Sequence, residues 1–172
     1  MIKLNNKGMT SVELLVCFII ISAIVVSLFN IVMDLRNKEQ IEAIKNEAVS
    51  YSNVLQSVVQ EYLIMEHLEG VAMTSGSNST ITLNFTLSNF KTASLTISPS
   101  TNEVIVTDSP NTVNEDRTSY PVPDIADMSL SYDSTATVKN NYLIILIYLE
   151  HPNFEDGRYL IEMTAPINYP NS

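Results

Sequence analysis

A long apolar run followed by an amphipathic stripe occupies the first third of the chain. From Leu14 to Met33 no residue is charged, and about 20 residues is the length of a helix that crosses the hydrocarbon core of a bilayer. Beyond it, apolar residues recur at alternating three- and four-residue steps, which places them on one helix face. They are Ile41, Ile44, Ala48, Tyr51, Leu55, Val58, Tyr62 and Met65. The pattern predicts one helix from about Met9 to Glu69, about 90 Å long, with Gly70 as its C-terminal cap.

Beyond Gly70 the pattern changes to a period of two. Apolar and polar residues alternate over residues 81–87, as in a strand with one face on a core. Apolar pairs at 95 and 97 and at 104 and 106 flank a turn at residues 99–102, which predicts a hairpin. Further strands are expected at residues 128–132, 142–150 and 158–164, with 143–149 apolar enough for a central strand. An antiparallel sheet packed on the helix stripe gives both elements a buried face, whereas a free-standing coiled coil leaves the strands unexplained.

A short motif precedes the apolar run. Its residues are Lys7-Gly8-Met9-Thr10-Ser11-Val12-Glu13, so that a basic leader ends in glycine and a lone carboxylate lies at the start of the apolar segment. An acidic side chain inside hydrocarbon costs about 2.5 to 3.5 kcal/mol, and such residues usually have a partner and a function. The motif therefore predicts a partner for Glu13.

The sequence KGMTSVELL before an apolar helix resembles the class III leader of type IV pilins and of the pilin-like proteins of type II secretion and competence systems. The resemblance implies that a prepilin peptidase cleaves between Gly8 and Met9 and methylates the new amine of Met9. It also implies that Glu13, the fifth residue after the cut, pairs with the Met9 amine of a neighbouring subunit during assembly. Buried ion pairs are seldom net stabilising, but they can set register.

The resemblance implies a domain organisation and a fold. Residues 1–8 are the cleaved leader, 9–33 the transmembrane and filament-core helix, 34–70 its amphipathic continuation, and 71–172 a β-rich globular head. The expected fold is α+β and pilin-like, with the long helix packed against an antiparallel sheet. The motif covers about the first quarter of the chain, so the head is predicted from pattern alone.

The chain departs from abundant pilins in three ways. It has Asn30 where many of them have a helix-kinking proline, Met9 where they have phenylalanine, and no pair of cysteines for a disulfide. The single cysteine, Cys17, lies in the apolar run, so the head must be held together by packing. These departures favour a minor subunit or a pseudopilin.

Two other kinds of membrane segment fit the sequence less well. A secretory signal has an apolar core of about 7 to 15 residues and a small-residue cleavage site, whereas this run is longer and residues 25–30 read VVSLFN. A generic single-pass anchor accounts for the apolar run but not for Gly8 and Glu13. The alternative function is therefore a single-pass membrane-anchored extracellular binding or sensor module, which keeps residues 1–8.

The charge distribution limits the kinds of partner and predicts the orientation in the membrane. Nine Lys and Arg against nineteen Asp and Glu give a net charge of −10, which argues against a nucleic-acid-binding surface. Lys3 and Lys7 precede the apolar run, so the positive-inside rule places the N-terminus in the cytoplasm and the head outside the cytoplasmic membrane. The resemblance implies a later location in an extracellular filament. The partners it implies are the prepilin peptidase, other pilin subunits in a homo- or hetero-oligomeric filament, and the membrane assembly platform.

The sequence carries no recognisable catalytic or metal-binding motif. His67 and His151 begin no metal-ligand spacing and are expected at the surface, and no nucleophile or phosphate-binding motif occurs. No catalytic residue, metal ligand or cofactor is assigned, and an enzyme is not expected. The acidic segments 108–116 and 124–133 lack the spacing and the glycine of an EF-hand and are interpreted as solvated loops. Residues 107–118 are rich in turn formers, and Tyr-Pro-Val-Pro at 120–123 is predicted to be rigid extended backbone. This loop is the best candidate for a variable contact surface on the filament exterior.

Overall fold

The computed structural model describes residues 10–65, 67–76, 80–110, 112–113 and 115–168. These residues form the helix α1 (Ser11–Gln60), a π-helical turn (Glu61–Met65), and two short 3₁₀ helices (Ser88–Phe90 and Glu155–Gly157). Their strands are β1 (Leu68–Ser75), β2 (Ile81–Leu87), β3 (Thr92–Ser98), β4 (Glu103–Asp108), β5 (Asp116–Pro121), β6 (Ser129–Leu130), β7 (Thr135–Lys139), β8 (Tyr142–Glu150) and β9 (Arg158–Pro166). The predicted α+β fold, a long N-terminal helix packed against antiparallel sheet, is confirmed. The chain divides into two compact units between Glu42 and Ala43.

The end of the helix differs from the prediction. The α-helical hydrogen bonding ends at Gln60, and the π-helical turn carries the chain to Met65. Gly70 is not a helix cap: it lies in β1, at the point where the pairing of β1 with β2 shifts register between Leu68 and Gly70. Glycine also marks β-bulges in strands, and this second meaning applies here. Among the described residues between the π-helical turn and β1, His67 adopts a left-handed conformation, with a φ of 53°.

The first sheet is a five-stranded antiparallel meander in the order β1-β2-β3-β4-β5. The predicted strand at 81–87 and the predicted hairpin around residues 99–102 are confirmed as β2 and the β3–β4 pair. The edge strands β1 and β5 were missed. β5 is polar, exposed and ends in Pro121, a composition that is compatible with an edge strand but gives no strand signal.

The second sheet is built around β8, which pairs along its whole length with β9 on one side. The shorter strands β6 and β7 pair with its other side. Alternate residues of β8 (Leu143, Ile145, Ile147 and Leu149) are fully buried, which confirms the prediction of a central strand. β6, β8 and β9 match the predicted strands, whereas β7 was missed because its Thr-Ala-Thr-Val-Lys sequence is short and mostly exposed.

One hydrophobic core joins the second half of α1 (residues 36–60) to both sheets. The helix and its π-helical turn contribute Ala48, Tyr51, Leu55, Val59 and Leu63 to it. Ile41, Ile44, Val58 and Tyr62 of the predicted stripe are only half-buried. The buried face moves across the helix towards Val59 and Leu63 because 3.6 residues per turn drift against a strict heptad spacing. Each buried aliphatic side chain contributes about 1.5 to 3 kcal/mol, so the sheets stabilise this half of the helix.

Asn102 joins the two sheets. It ends the β3–β4 turn with a φ of 57°, a left-handed conformation that asparagine tolerates well. Its Nδ2 donates to the carbonyl oxygen of Met128 (3.3 Å), and its Oδ1 accepts from the backbone N–H of Leu130 (2.6 Å). The side chain thus pairs with β6 and the residue before it, as a backbone neighbour would.

Tyr51 joins α1 to the edge strand β5. Its hydroxyl donates to the carbonyl oxygen of Tyr120 over 2.9 Å. Burial raises the pKa of the Tyr51 hydroxyl above its usual range, and the negative charge of Glu103 raises it further. The hydroxyl therefore stays protonated and remains a donor in the folded protein at alkaline pH.

We expect Asn102→Ala to destabilise the head by about 1 to 3 kcal/mol, because two buried backbone groups lose their partner. The measurement is denaturant unfolding of the full chain in detergent, followed by circular dichroism of the strands. Asn102→Asp keeps the acceptor for Leu130 but places a carboxylate oxygen against the carbonyl oxygen of Met128, so it should not restore the stability of the wild type. Equal stability of Asn102→Ala and the wild type would contradict the role of this side chain.

At neutral pH, Tyr51→Phe should cost about 1 kcal/mol, the net value of a typical hydrogen bond. The difference should shrink above about pH 10, because tyrosine ionises there in the unfolded chain but not at the folded site. The wild type then loses up to about 1.4 kcal/mol per pH unit from this group, a loss that the variant lacks. Unfolding free energies from pH 7 to 11 test this, with the exposed Tyr132→Phe as the control. A gap that does not depend on pH would contradict it.

Candidate functional site

The first half of α1 offers an apolar surface that nothing in the described part of the chain covers. The helical segment Ser11–Ile64 contains an 18-residue window with a mean hydropathy of 2.9, and none of that window is buried. By length and composition this segment can cross a membrane. An apolar surface of this size is unfavourable in water at about 25 cal/mol per Å². The segment therefore fits a membrane anchor. Its apolar surface begins directly after Glu13, the candidate functional residue.

Polar atoms inside the apolar run can be satisfied within the helix itself. The Ser22 hydroxyl donates to the carbonyl oxygen of Phe18 over 2.8 Å. Such bonds let serine lie in hydrocarbon without an external partner. Cys17 is a free thiol on the exposed surface of the same helix.

Glu13 lies in the first turn of α1 and is hydrogen-bonded to Thr10. The Thr10 N–H and the Thr10 hydroxyl both donate to Glu13 Oε2, over 2.8 and 3.0 Å. In return, the Glu13 N–H donates to Thr10 Oγ1 over 3.3 Å. The first helical bond runs from the Leu14 N–H to the Thr10 carbonyl oxygen (3.1 Å), which makes Thr10 the N-cap residue. This reciprocal arrangement is a capping box.

The sequence prediction found Glu13 but missed its local partner. The signal is present in the chain, because Thr10-Ser11-Val12-Glu13 fits the S/T-x-x-E pattern of a capping box. This pattern gives the carboxylate hydrogen-bond donors without a second charge. Gly8 and Met9 lie outside the described residues, so cleavage between them, methylation of Met9 and pairing of Glu13 with a neighbour's amine stay predictions.

His151 is buried, and the expectation of a surface position is wrong for it. Its Nδ1 accepts from the Asn153 N–H, and its Nε2 lies 3.1 Å from the carbonyl oxygen of Ala126, to which it donates in the neutral tautomer. The imidazole therefore ties together two loops. His67 is exposed, as expected.

The acidic segments do not gather into a metal site in the part of the chain that the structure describes. Within it, no group of three or more His, Cys, Asp or Glu side chains is placed to hold a metal ion. Asp133 instead forms an ion pair with Arg158 (2.7 Å), which also approaches Glu150 (3.5 Å). These side chains are about half exposed, and pairs of this kind contribute little to stability.

The Tyr-Pro-Val-Pro segment, predicted as rigid extended backbone, is hydrogen-bonded to the rest of the head. Tyr120 and Pro121 end β5, and the buried Val122 donates its N–H to the carbonyl oxygen of Asn102 over 3.0 Å. The predicted extended backbone is confirmed for Tyr120 and Pro121, whose pairing with β4 the composition did not reveal. Its role as a contact surface stays a prediction.

No protein-family model matches the chain, and no curated protein or solved structure matches it significantly. The function therefore has to be argued from the residues and geometry of the chain itself.

We expect the double variant Ile20→Arg/Ile24→Arg to move the full chain from the membrane to the soluble fraction. Two arginines near the centre of the segment cost about 5 to 7 kcal/mol on insertion scales. The control is Val32→Arg/Met33→Arg, where arginines at the end of the run can reach the interface and integration should persist. Alkaline extraction of membranes measures both. Equal retention of the two variants would contradict a membrane span in this segment.

Proposed function

We propose that this chain is a structural subunit, of the minor type, of a type IV pilus or a pilus-like filament. In this proposal a prepilin peptidase removes residues 1–8, and the subunit is assembled through its N-terminal helix. The observation that carries the proposal is the start of α1. The helix begins at Ser11, directly after the proposed cleavage site, and places Glu13 in its first turn before an uncovered apolar surface of membrane length.

An uncovered apolar helix has two environments that suit it, lipid and a bundle of similar helices. Because lipid tails are as apolar as leucine, helix association in a membrane depends on packing and polar contacts rather than on the hydrophobic effect. Transfer of the first half of α1 from the membrane to the filament core therefore exchanges one apolar environment for another. The pairing of Glu13 with the methylated amine of Met9 in a neighbouring subunit would then select the axial register.

We infer that the head lies outside the cytoplasm, because Lys3 and Lys7 precede the apolar run. Two sheets cover the second half of α1, and they do so without a disulfide, since Cys17 is the single cysteine. We place Lys3 and Lys7 on the cytoplasmic side and the head on the other, first at the membrane and then on the filament. The partners in this proposal are the peptidase, other pilin subunits and the assembly platform, and the subunit itself has no catalytic role.

One observation favours the alternative of a membrane-anchored extracellular binding or sensor module. Glu13 is already hydrogen-bonded within its own helix, so an anchor that never assembles would also leave no bare carboxylate. The two functions differ in the fate of residues 1–8 and in the need for Glu13.

Expressed with a pilus machinery, the mature protein should begin at Met9 and carry one added methyl group, as measured by intact mass spectrometry. Glu13→Ala should leave this processing intact and abolish incorporation into filaments, because the register contact is lost. Glu39→Ala is the matched control, an acidic residue of the same helix beyond the apolar run, and it should still be incorporated. A retained leader would overturn the proposed function in favour of the anchored module.

A further inference from the structure

Glu13 faces a problem before assembly that its proposed partner cannot solve. In the uncleaved chain the nitrogen of Met9 belongs to the Gly8–Met9 peptide bond and carries no charge. A stored precursor therefore has no Met9 amine to offer, either to its own Glu13 or to a neighbour's. The carboxylate nevertheless lies beside an apolar run that can enter a membrane, where an unpartnered acidic group is unfavourable.

Thr10 supplies the missing partner. Of the three hydrogen bonds between the two residues, two converge on the same carboxylate oxygen, Glu13 Oε2, at 2.8 and 3.0 Å. The third, from the Glu13 N–H to Thr10 Oγ1, orients the hydroxyl so that its proton points at that oxygen. Hydrogen bonds to an ionised group are roughly twice as strong as neutral ones, and their strength increases where water is excluded.

We propose that Thr10 is the positioning residue that holds Glu13 in the membrane-stored subunit, an inference that rests on the prepilin function proposed above. The hydroxyl of Thr10 shields the carboxylate while no amine is present. Cleavage keeps the Thr10 N–H and hydroxyl in place and adds a cation one residue away. Thr10 thus keeps the carboxylate of Glu13 directed at the N-terminus of the helix, where cleavage creates the new amine.

The side chain of Thr10 can be tested by itself because valine has nearly the same shape and lacks the hydroxyl. Thr10→Val removes the 3.0 Å and 3.3 Å bonds and leaves the backbone bond of 2.8 Å. If the hydroxyl acts by holding the carboxylate, its removal matters more when Glu13 is present than when residue 13 is apolar. A hydroxyl that only starts the helix would matter equally in both cases.

The experiment is a double-mutant cycle on membrane integration of the full, uncleaved chain, expressed without peptidase. All four chains (the reference, Thr10→Val, Glu13→Leu and the double variant) carry Ile24→Arg, so that the ratio of integrated to non-integrated protein falls in a measurable range. Thr10→Val should lower this ratio at least tenfold beside Glu13, as loss of one hydrogen bond to a charged group predicts. In the Glu13→Leu background the change should be several-fold smaller, because Thr10→Val then removes only the neutral cap bond from the N–H of residue 13.

Two control variants separate this role from a general effect on the helix. Thr10→Ser keeps the hydroxyl and should restore the reference ratio. Ser22→Val removes another hydroxyl from the same helix, away from Glu13, and its effect should be independent of Glu13→Leu. Equal effects of Thr10→Val in the two backgrounds, or failure of serine to restore the ratio, would overturn the role of Thr10. Neither result bears on the filament function, which a retained leader in the processing experiment would overturn instead.

Discussion

The structure depends on one constraint, the covering of the apolar surface of a single unbroken helix. From Ser11 to Gln60 this helix contains neither proline nor glycine, so nothing interrupts its hydrogen bonding. Its two halves meet the constraint differently. The second half carries a stripe that the sheets of the head cover, whereas the first half is apolar on all sides and uncovered. By length and composition this first half can cross a membrane.

The apolar stripe on the second half of α1 is covered by both sheets, and a few polar contacts specify how the sheets and the helix are arranged. Apolar side chains from α1 and from both sheets supply most of the stabilisation, since each buried aliphatic group contributes more than a typical hydrogen bond. Polar contacts at Asn102 and Tyr51 then join segments that are distant in the sequence. These contacts specify that α1 lies beside β5 and that the β3–β4 turn lies beside β6, whereas nonspecific apolar packing would allow other arrangements.

At the N-terminus of α1, Glu13 also depends on specific hydrogen bonds. A carboxylate beside an apolar run needs hydrogen-bond donors, and the N-terminus of a helix has free N–H groups that need acceptors. The capping box with Thr10 satisfies both needs with neighbouring residues. Glu13 is then not a bare charge waiting for a partner subunit. It is a carboxylate whose hydrogen bonds are supplied by its own helix.

Several features follow from the amino-acid sequence alone: the long helix, its membrane-length apolar run, the central strand β8, the β3–β4 hairpin and the α+β class. Each of these depends on local periodicity or on the absence of breakers, which a single segment reveals. Long-range packing sets the division of the strands into two sheets, the use of polar segments as the edge strands β5 and β7, and the position of Gly70 at a register shift. It also determines that His151 is buried between loops and that Asn102 bridges the sheets. These features depend on partners far away in the chain, and edge strands need only backbone pairing, so their side chains carry little signal.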